Sequence, residues 1–142
     1  MTGAFRSQLL AVALKRDLFT YLSNHDANLE QLCDRLKISK EPCKLFLDGL
    51  VAIRLLEKSG DSYSNSVISS TYLVKGRPEY QGANVKLFES LYDACRELET
   101  ALVDDTPTTT NFSYFFGNDD SVATNYSELM HESGVVPALL LM

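Results

Sequence analysis

The sequence is short of cysteine, short of long apolar runs and, past its first hundred residues, empty of lysine and arginine. Its three cysteines, Cys33, Cys43 and Cys95, form no C-x-x-C and leave one over. That argues against a disulfide framework and a zinc knuckle, and fits reduced thiols in a cytoplasm. No apolar run approaches the roughly 18 residues that a membrane span needs, so no membrane is expected. The opening residues Met1-Thr2-Gly3-Ala4-Phe5-Arg6 lack the charged-then-apolar layout of a signal peptide. There is no P-loop, no G-x-S-x-G and no Cys-His pair at a recognisable spacing. His25 reads as a solvated loop residue and His131 as a surface residue near a helix end. With no third ligand pattern beside them, no metal site is expected.

What is present is an ordinary globular composition, 45% hydrophobic and 23% charged over 142 residues. That length holds one domain, or one and a fragment, and buries a core without staples. The net charge of −6 is unevenly placed. Residues 1–102 balance 13 Lys+Arg with 13 Asp+Glu, so the whole excess sits in residues 103–142. Nucleic-acid binding runs on basic side chains neutralising phosphates, and an acidic chain is a poor candidate for it. The break at Val103 suggests a domain over 1–103 and an acidic linker plus helix over 104–142.

Periodicity supplies the elements. Gly3–Leu22 reads as one helix, and its run Leu9–Leu14 is apolar almost all the way round, which asks for cover on two sides. Asn28–Leu36 reads as a second helix, with Asn28 and Gln31 forming a capping-box pattern. Ser39 is expected to cap a third, running to Ile53, with Pro42 tolerated in its first turn. Leu55–Lys58, a Ser59-Gly60-Asp61 turn and Ser62–Asn65 make a hairpin signal. Helix-turn-helix plus hairpin is a winged-helix-like layout in a mostly α chain. Val67–Leu73 is a short helix, Gly76-Arg77-Pro78 a break, and Tyr80–Val103 a long helix with Phe88, Leu91, Tyr92, Cys95, Leu98 and Leu102 on its apolar stripe. Asp104–Thr110 is linker-like. Phe112, Tyr114, Phe115 and Phe116 crowd a loop that must pack on something. Ser121–Ser133 is a helix that Gly134 is expected to end, and the apolar Val135–Met142 reads as the start of something further. The acid pairs Asp104-Asp105 and Asp119-Asp120 read as caps and solvated loop.

The order of these parts resembles a family. Residues 1–103 resemble the N-terminal dimerisation domain of small-molecule S-adenosylmethionine-dependent O-methyltransferases, the plant-type and bacterial polyketide-tailoring group. The similarity is carried by Ala13–Leu22, by the helix-turn-helix Asn28–Ser39, by Leu45–Glu57 and by the wing segment Tyr63-Ser64-Asn65-Ser66. The family usually has glycine where Arg54 stands. In the tail, Phe112-Ser113-Tyr114, Asn118-Asp119, Tyr126, Met130 and Gly134 look like the family's linker and pocket helix. The resemblance implies that Tyr126 and Met130, with Val122 and Ser133 on the same face, line a pocket for a small aromatic or polyketide acceptor. It also implies a homodimer through the Gly3–Leu22 and Tyr80–Val103 helices, and S-adenosylmethionine in the full-length family. The family's cofactor turn is glycine-rich, whereas no two of the seven glycines here lie within five residues of each other. The chain is therefore expected to hold no cofactor and no catalytic residue, and to serve as the dimerisation and lid module of an O-methyltransferase-like protein. The alternatives are a winged-helix transcription regulator reading DNA with Ser39–Arg54, or a stand-alone small-molecule-binding protein or enzyme using the aromatic pocket.

Overall fold

A computed structural model describes residues 3–105 and 120–140, with side chains through Gly134. The chain packs as two units, Met1–Tyr80 and Gln81–Met142. The aromatic loop expected around Phe112–Phe116 lies outside the described residues.

The first unit runs α1 (Gly3–Lys15), α2 (Leu18–Leu22), β1 (Ala27–Asn28), α3 (Leu29–Leu36), α4 (Lys40–Ala52), β2 (Leu56–Ser59), β3 (Ser62–Asn65) and α5 (Val67–Tyr72). The single helix expected over Gly3–Leu22 is in fact two. The Asp17 N–H donates to the Leu14 carbonyl at 2.9 Å, which closes α1. Asp17 itself turns into the left-handed region at φ 56°, a conformation Asp tolerates better than most residues. After this break Leu18, Phe19 and Leu22 are all buried. Lys75 Nζ sits 3.1 Å from the Asp17 carboxylate.

The capping box of α3 forms as its sequence expects. The Gln31 N–H donates to Asn28 Oδ1 at 3.0 Å, and the Asn28 N–H donates to Gln31 Oε1 at 2.9 Å. Such a cap contributes about 1 kcal/mol. Arg16 Nη1 donates to the Leu36 carbonyl at 3.1 Å and so covers the other end of α3. Ser39 does stand at the N-cap position of α4, but its side chain makes no capping bond. The reason is Pro42: it occupies the third helical position, where the N–H that a serine cap normally engages is missing.

The hairpin closes through Gly60 at φ 59°. Its β2 and β3 pair antiparallel, with Leu56 opposite Asn65 and Ser59 opposite Ser62. A third strand was not expected. The two-residue β1 pairs Ala27 with Tyr63, giving the order β1-β3-β2. Two residues are too few for any alternation to show in sequence. The core gathers Phe19, Leu32, Leu36, Leu47, Leu50, Leu56 and Tyr63, all essentially without solvent contact. Gly49 lets α1 press on α4: a Cβ there would stand 3.2 Å from Leu9 Cδ1.

The second unit holds α6 (Gly82–Arg96), α7 (Leu98–Asp104) and α8 (Asp120–Leu140). The long helix expected over Tyr80–Val103 begins at Gly82 and is interrupted at Glu97, with no proline or glycine marking the interruption. Gly134 does not end the last helix. It lacks the positive φ of a helix-ending glycine, and α8 continues through it to Leu140. Among the described residues no helix is long and apolar enough to cross a membrane.

Candidate functional site

The second unit is organised around a buried acid. Glu132, on α8, is 8% exposed. Its Oε2 accepts the backbone N–H of Ala83 at 2.7 Å and of Asn84 at 3.2 Å. These are first-turn donors of α6, which has no acid in its own first turn and no side-chain cap from Gln81. A helix start left open this way takes an acceptor from elsewhere. Three further bonds frame it. Gln81 Nε2 donates to the Glu132 carbonyl at 2.9 Å, Asn84 Nδ2 to Gln81 Oε1 at 2.8 Å, and Ser133 Oγ to Asn84 Oδ1 at 2.9 Å. Burial pushes the Glu132 carboxyl above its ordinary value; the Asn84 and Ala83 N–H groups pull the other way, Glu128 adds to the rise and Lys86 opposes it.

This contact fixes which side of α8 faces inward. Val122, Leu129 and Glu132 are buried. At about 100° per residue, Ser133 and Tyr126 lie within about 40° of Val122 around the helix, and Met130 about 80° away. The four residues therefore do share one stripe, but it straddles the edge of the buried face. Val122 is inside, Ser133 is tied to Asn84, and Tyr126 and Met130 are 41% and 46% exposed. A phenol and a thioether one turn apart suit contact with an aromatic ring. The buried carboxylate of the same helix, Glu132, is occupied by backbone donors.

The first unit has its own polar hub. Asp48, on α4, receives Lys58 Nζ at 3.2 Å, Tyr63 Oη at 3.2 Å and Lys44 Nζ at 3.3 Å. The Lys58 bond, opposed by partial burial and helped by Lys44 and Tyr63, holds the Asp48 carboxyl below its ordinary value. Lys40 pairs with Glu30 at 3.5 Å. The Cys43 thiol is pushed up to about 12, chiefly by burial, with Cys33 beside it. A thiol so reluctant to ionise is not a nucleophile.

Sequence reasoning found the α8 stripe and missed Glu132 with its partners Gln81 and Asn84. The available signal was the acid-free first turn Gly82-Ala83-Asn84-Val85, which announces an unmet need without saying which residue meets it.

A helix pair followed by a hairpin, in a mostly helical chain with a small three-stranded antiparallel sheet, defines the fold class. More specifically, residues 1–75 match the family model of the O-methyltransferase dimerisation domain, and the chain belongs to that family. It is similar to N,N-dimethyltransferase OxyT of Streptomyces rimosus, at 40% identity over 84 residues, 59% of this chain and 24% of that protein. It is also similar to the tetracenomycin polyketide synthesis 8-O-methyl transferase TcmO of Streptomyces glaucescens, at 37% identity over 105 residues, 72% of this chain and 31% of that protein. Human N-acetylserotonin methyltransferase, solved in complex with SAM, shares the fold with a TM-score of 0.74 at 21% identity, over 95% of this chain and 44% of that one. The chain thus spans about a quarter to a third of these two curated relatives.

Proposed function

We propose that this chain is the dimerisation and acceptor-lid module of an S-adenosylmethionine-dependent methyltransferase acting on small aromatic or polyketide acceptors, and that it does no chemistry alone. One observation carries the reading: α6 and α7 leave Phe88, Leu91, Tyr92, Leu98 and Leu102 in solvent, with Phe88 at 59% and Leu102 at 76% exposure. Large apolar residues exposed in this number along two successive helices mark a protein contact. On α1 the outward Phe5 and Val12 are exposed as well. A second copy covering these helices makes a homodimer.

In the same reading Tyr126 and Met130 face the acceptor, with Val122 and Ser133 anchoring their helix. The cofactor is supplied by a separate catalytic domain or chain. The described residues do not fit it. Gly60 closes a hairpin, Gly76 follows α5, Gly82 starts a helix with no strand before it, and the sheet is antiparallel. The lysines of α4 support a protein-binding rather than a nucleic-acid role, because Lys40 and Lys44 are both paired with carboxylates.

Sedimentation at micromolar concentration tests the reading. A dimer that Phe88→Glu with Leu102→Glu converts to monomer is expected. A wild-type chain that stays monomeric sinks it. Calorimetry against S-adenosylmethionine is expected to give dilution heat only, and a retardation assay no sequence-dependent DNA binding at physiological salt.

A further inference from the structure

The geometry points to a second binding site, for an aromatic carboxylate, in a cleft of the first unit that the dimerisation role does not use. The cleft holds about 400 Å³ and is lined by Arg6, Ser7 and Leu10 of α1 and by Ala52, Ile53, Arg54 and Leu55 at the end of α4. That volume falls within the range of small-molecule pockets. Leu10, Ile53 and Leu55 supply the apolar part of the lining, and Arg6 and Arg54 its two cations. Among the described residues neither Arg6 nor Arg54 has a carboxylate partner, whereas Lys40, Lys44, Lys58 and Lys75 all do. Two unpaired guanidiniums beside apolar walls fit a planar anion with an aromatic body: forked N–H donors take the carboxylate and the ring lies on the aliphatic side chains.

The backbone adds a second, independent observation. Arg54 sits at φ 62°, where an L side chain is strained. The bonds around it are those of a helix-ending turn that usually carries glycine: Leu55 N–H to the Leu50 carbonyl at 2.9 Å and Arg54 N–H to the Val51 carbonyl at 2.9 Å. Asp17, Lys37 and Asp105 share the conformation, so strain alone assigns nothing. What singles out Arg54 is that the strained residue lines the cleft together with Arg6.

On α1 the cleft wall is turned away from the exposed stripe. At about 100° per residue, Val12 lies within about 20° of Phe5 around α1, while Arg6, Leu10 and Ser7 lie about 100°, 140° and 200° from it. The stripe offered to a partner and the cleft wall are on different sides of the helix. The inference therefore does not rest on the dimer reading.

The test uses 1-naphthoate as probe, its neutral isostere 1-naphthylmethanol as control and inorganic phosphate as a third arm, with binding followed by ligand-observed NMR or calorimetry. Saturable naphthoate binding is expected, at least about tenfold tighter than naphthylmethanol or phosphate. Arg6→Gln and Arg54→Gly are each expected to weaken it about tenfold, and Arg54→Lys less. Arg54→Gly also relieves the strained turn, so its melting temperature should match or exceed wild type, which separates lost binding from lost folding. Naphthoate binding that is absent, equal to that of naphthylmethanol, or unchanged in Arg6→Gln and Arg54→Gly overturns the assignment. So does phosphate binding as tightly as naphthoate, since the apolar part of the lining would then contribute nothing.

Discussion

The two units spend their apolar residues in opposite ways. In the first, leucines from α2, α3, α4 and β2 converge with Phe19 and Tyr63 on one interior. In the second, the buried apolar side chains among the described residues are Ala83, Val122 and Leu129, while Phe88, Leu91, Tyr92, Leu98, Leu102 and Val103 face out. Composition explains only part of this, because Tyr80–Val103 holds nine large apolar residues in 24 and Gly3–Leu22 nine in 20. The difference is in what faces them. The first unit gathers most of its large apolar residues into an interior, with Phe5, Leu45, Val67 and Ile68 left exposed, whereas the described part of the second joins two helices through a carboxylate on a helix start and has most of its large apolar residues exposed. A module that assembles by joining copies has reason to be built this way: one part stable alone, the other completed on assembly.

The sharpest way to break that contrast is a matched pair of truncations. Leu47 has no solvent exposure, and Leu47→Ala is expected to cost about 2–5 kcal/mol in denaturant unfolding. Leu102→Ala, on a residue 76% exposed, should leave the isolated chain's stability within about 0.5 kcal/mol and act only on association. Equal losses would mean that the second unit has an interior of its own.

Glu132 sharpens the comparison from the other side. Glu132→Ala leaves the Ala83 and Asn84 N–H groups without their acceptor and is expected to cost the second unit about 1–3 kcal/mol. Its titration has a definite sign. The folded carboxyl lies above its ordinary value near 4.5, so the folded state holds the proton longer than the unfolded one. That contribution is complete below the ordinary value and is lost as pH rises through the raised folded value. Denaturation at a series of pH values should show this decline in wild type and not in Glu132→Gln.

Smaller effects are expected in the first unit. Arg54→Gly removes a left-handed side-chain penalty and should stabilise it by about 0.5–1 kcal/mol. Asp48 titrates with the opposite sign to Glu132. Its folded carboxyl lies below the ordinary value near 3.8, so its contribution is present above that value and lost as pH falls through the depressed one. Asp48 is solvent-accessible, and the difference between wild type and Asp48→Asn should be the smallest of the set and shrink with added salt.

Local chemistry was legible in the sequence where it was self-contained. The Asn28–Gln31 capping box and the Gly60 turn each depend on residues within a few positions, and each appears as expected. The misses came from partners distant in the chain or from patterns too short to read. The Asp17 break has no proline or glycine, and Asp17 pairs with Lys75. The strand β1 is two residues long. Ser39 fails as a side-chain cap because of Pro42, a conflict visible in sequence once the third helical position is counted. Glu132 meets Ala83 from 49 positions away. The α8 stripe of Val122, Tyr126, Met130 and Ser133 was legible as a stripe. That its two ends differ in burial was not, because the rotation of α8 is fixed by Glu132.

The central claim, that the open stripe of the second unit is closed by another copy, is tested most directly by hydrogen exchange across a dilution series. The account predicts that amides in residues 86–103 are protected at high concentration and lose protection on dilution, while those in residues 43–56 hold theirs throughout. Protection over residues 86–103 that does not change with concentration, whether strong or weak, would contradict it.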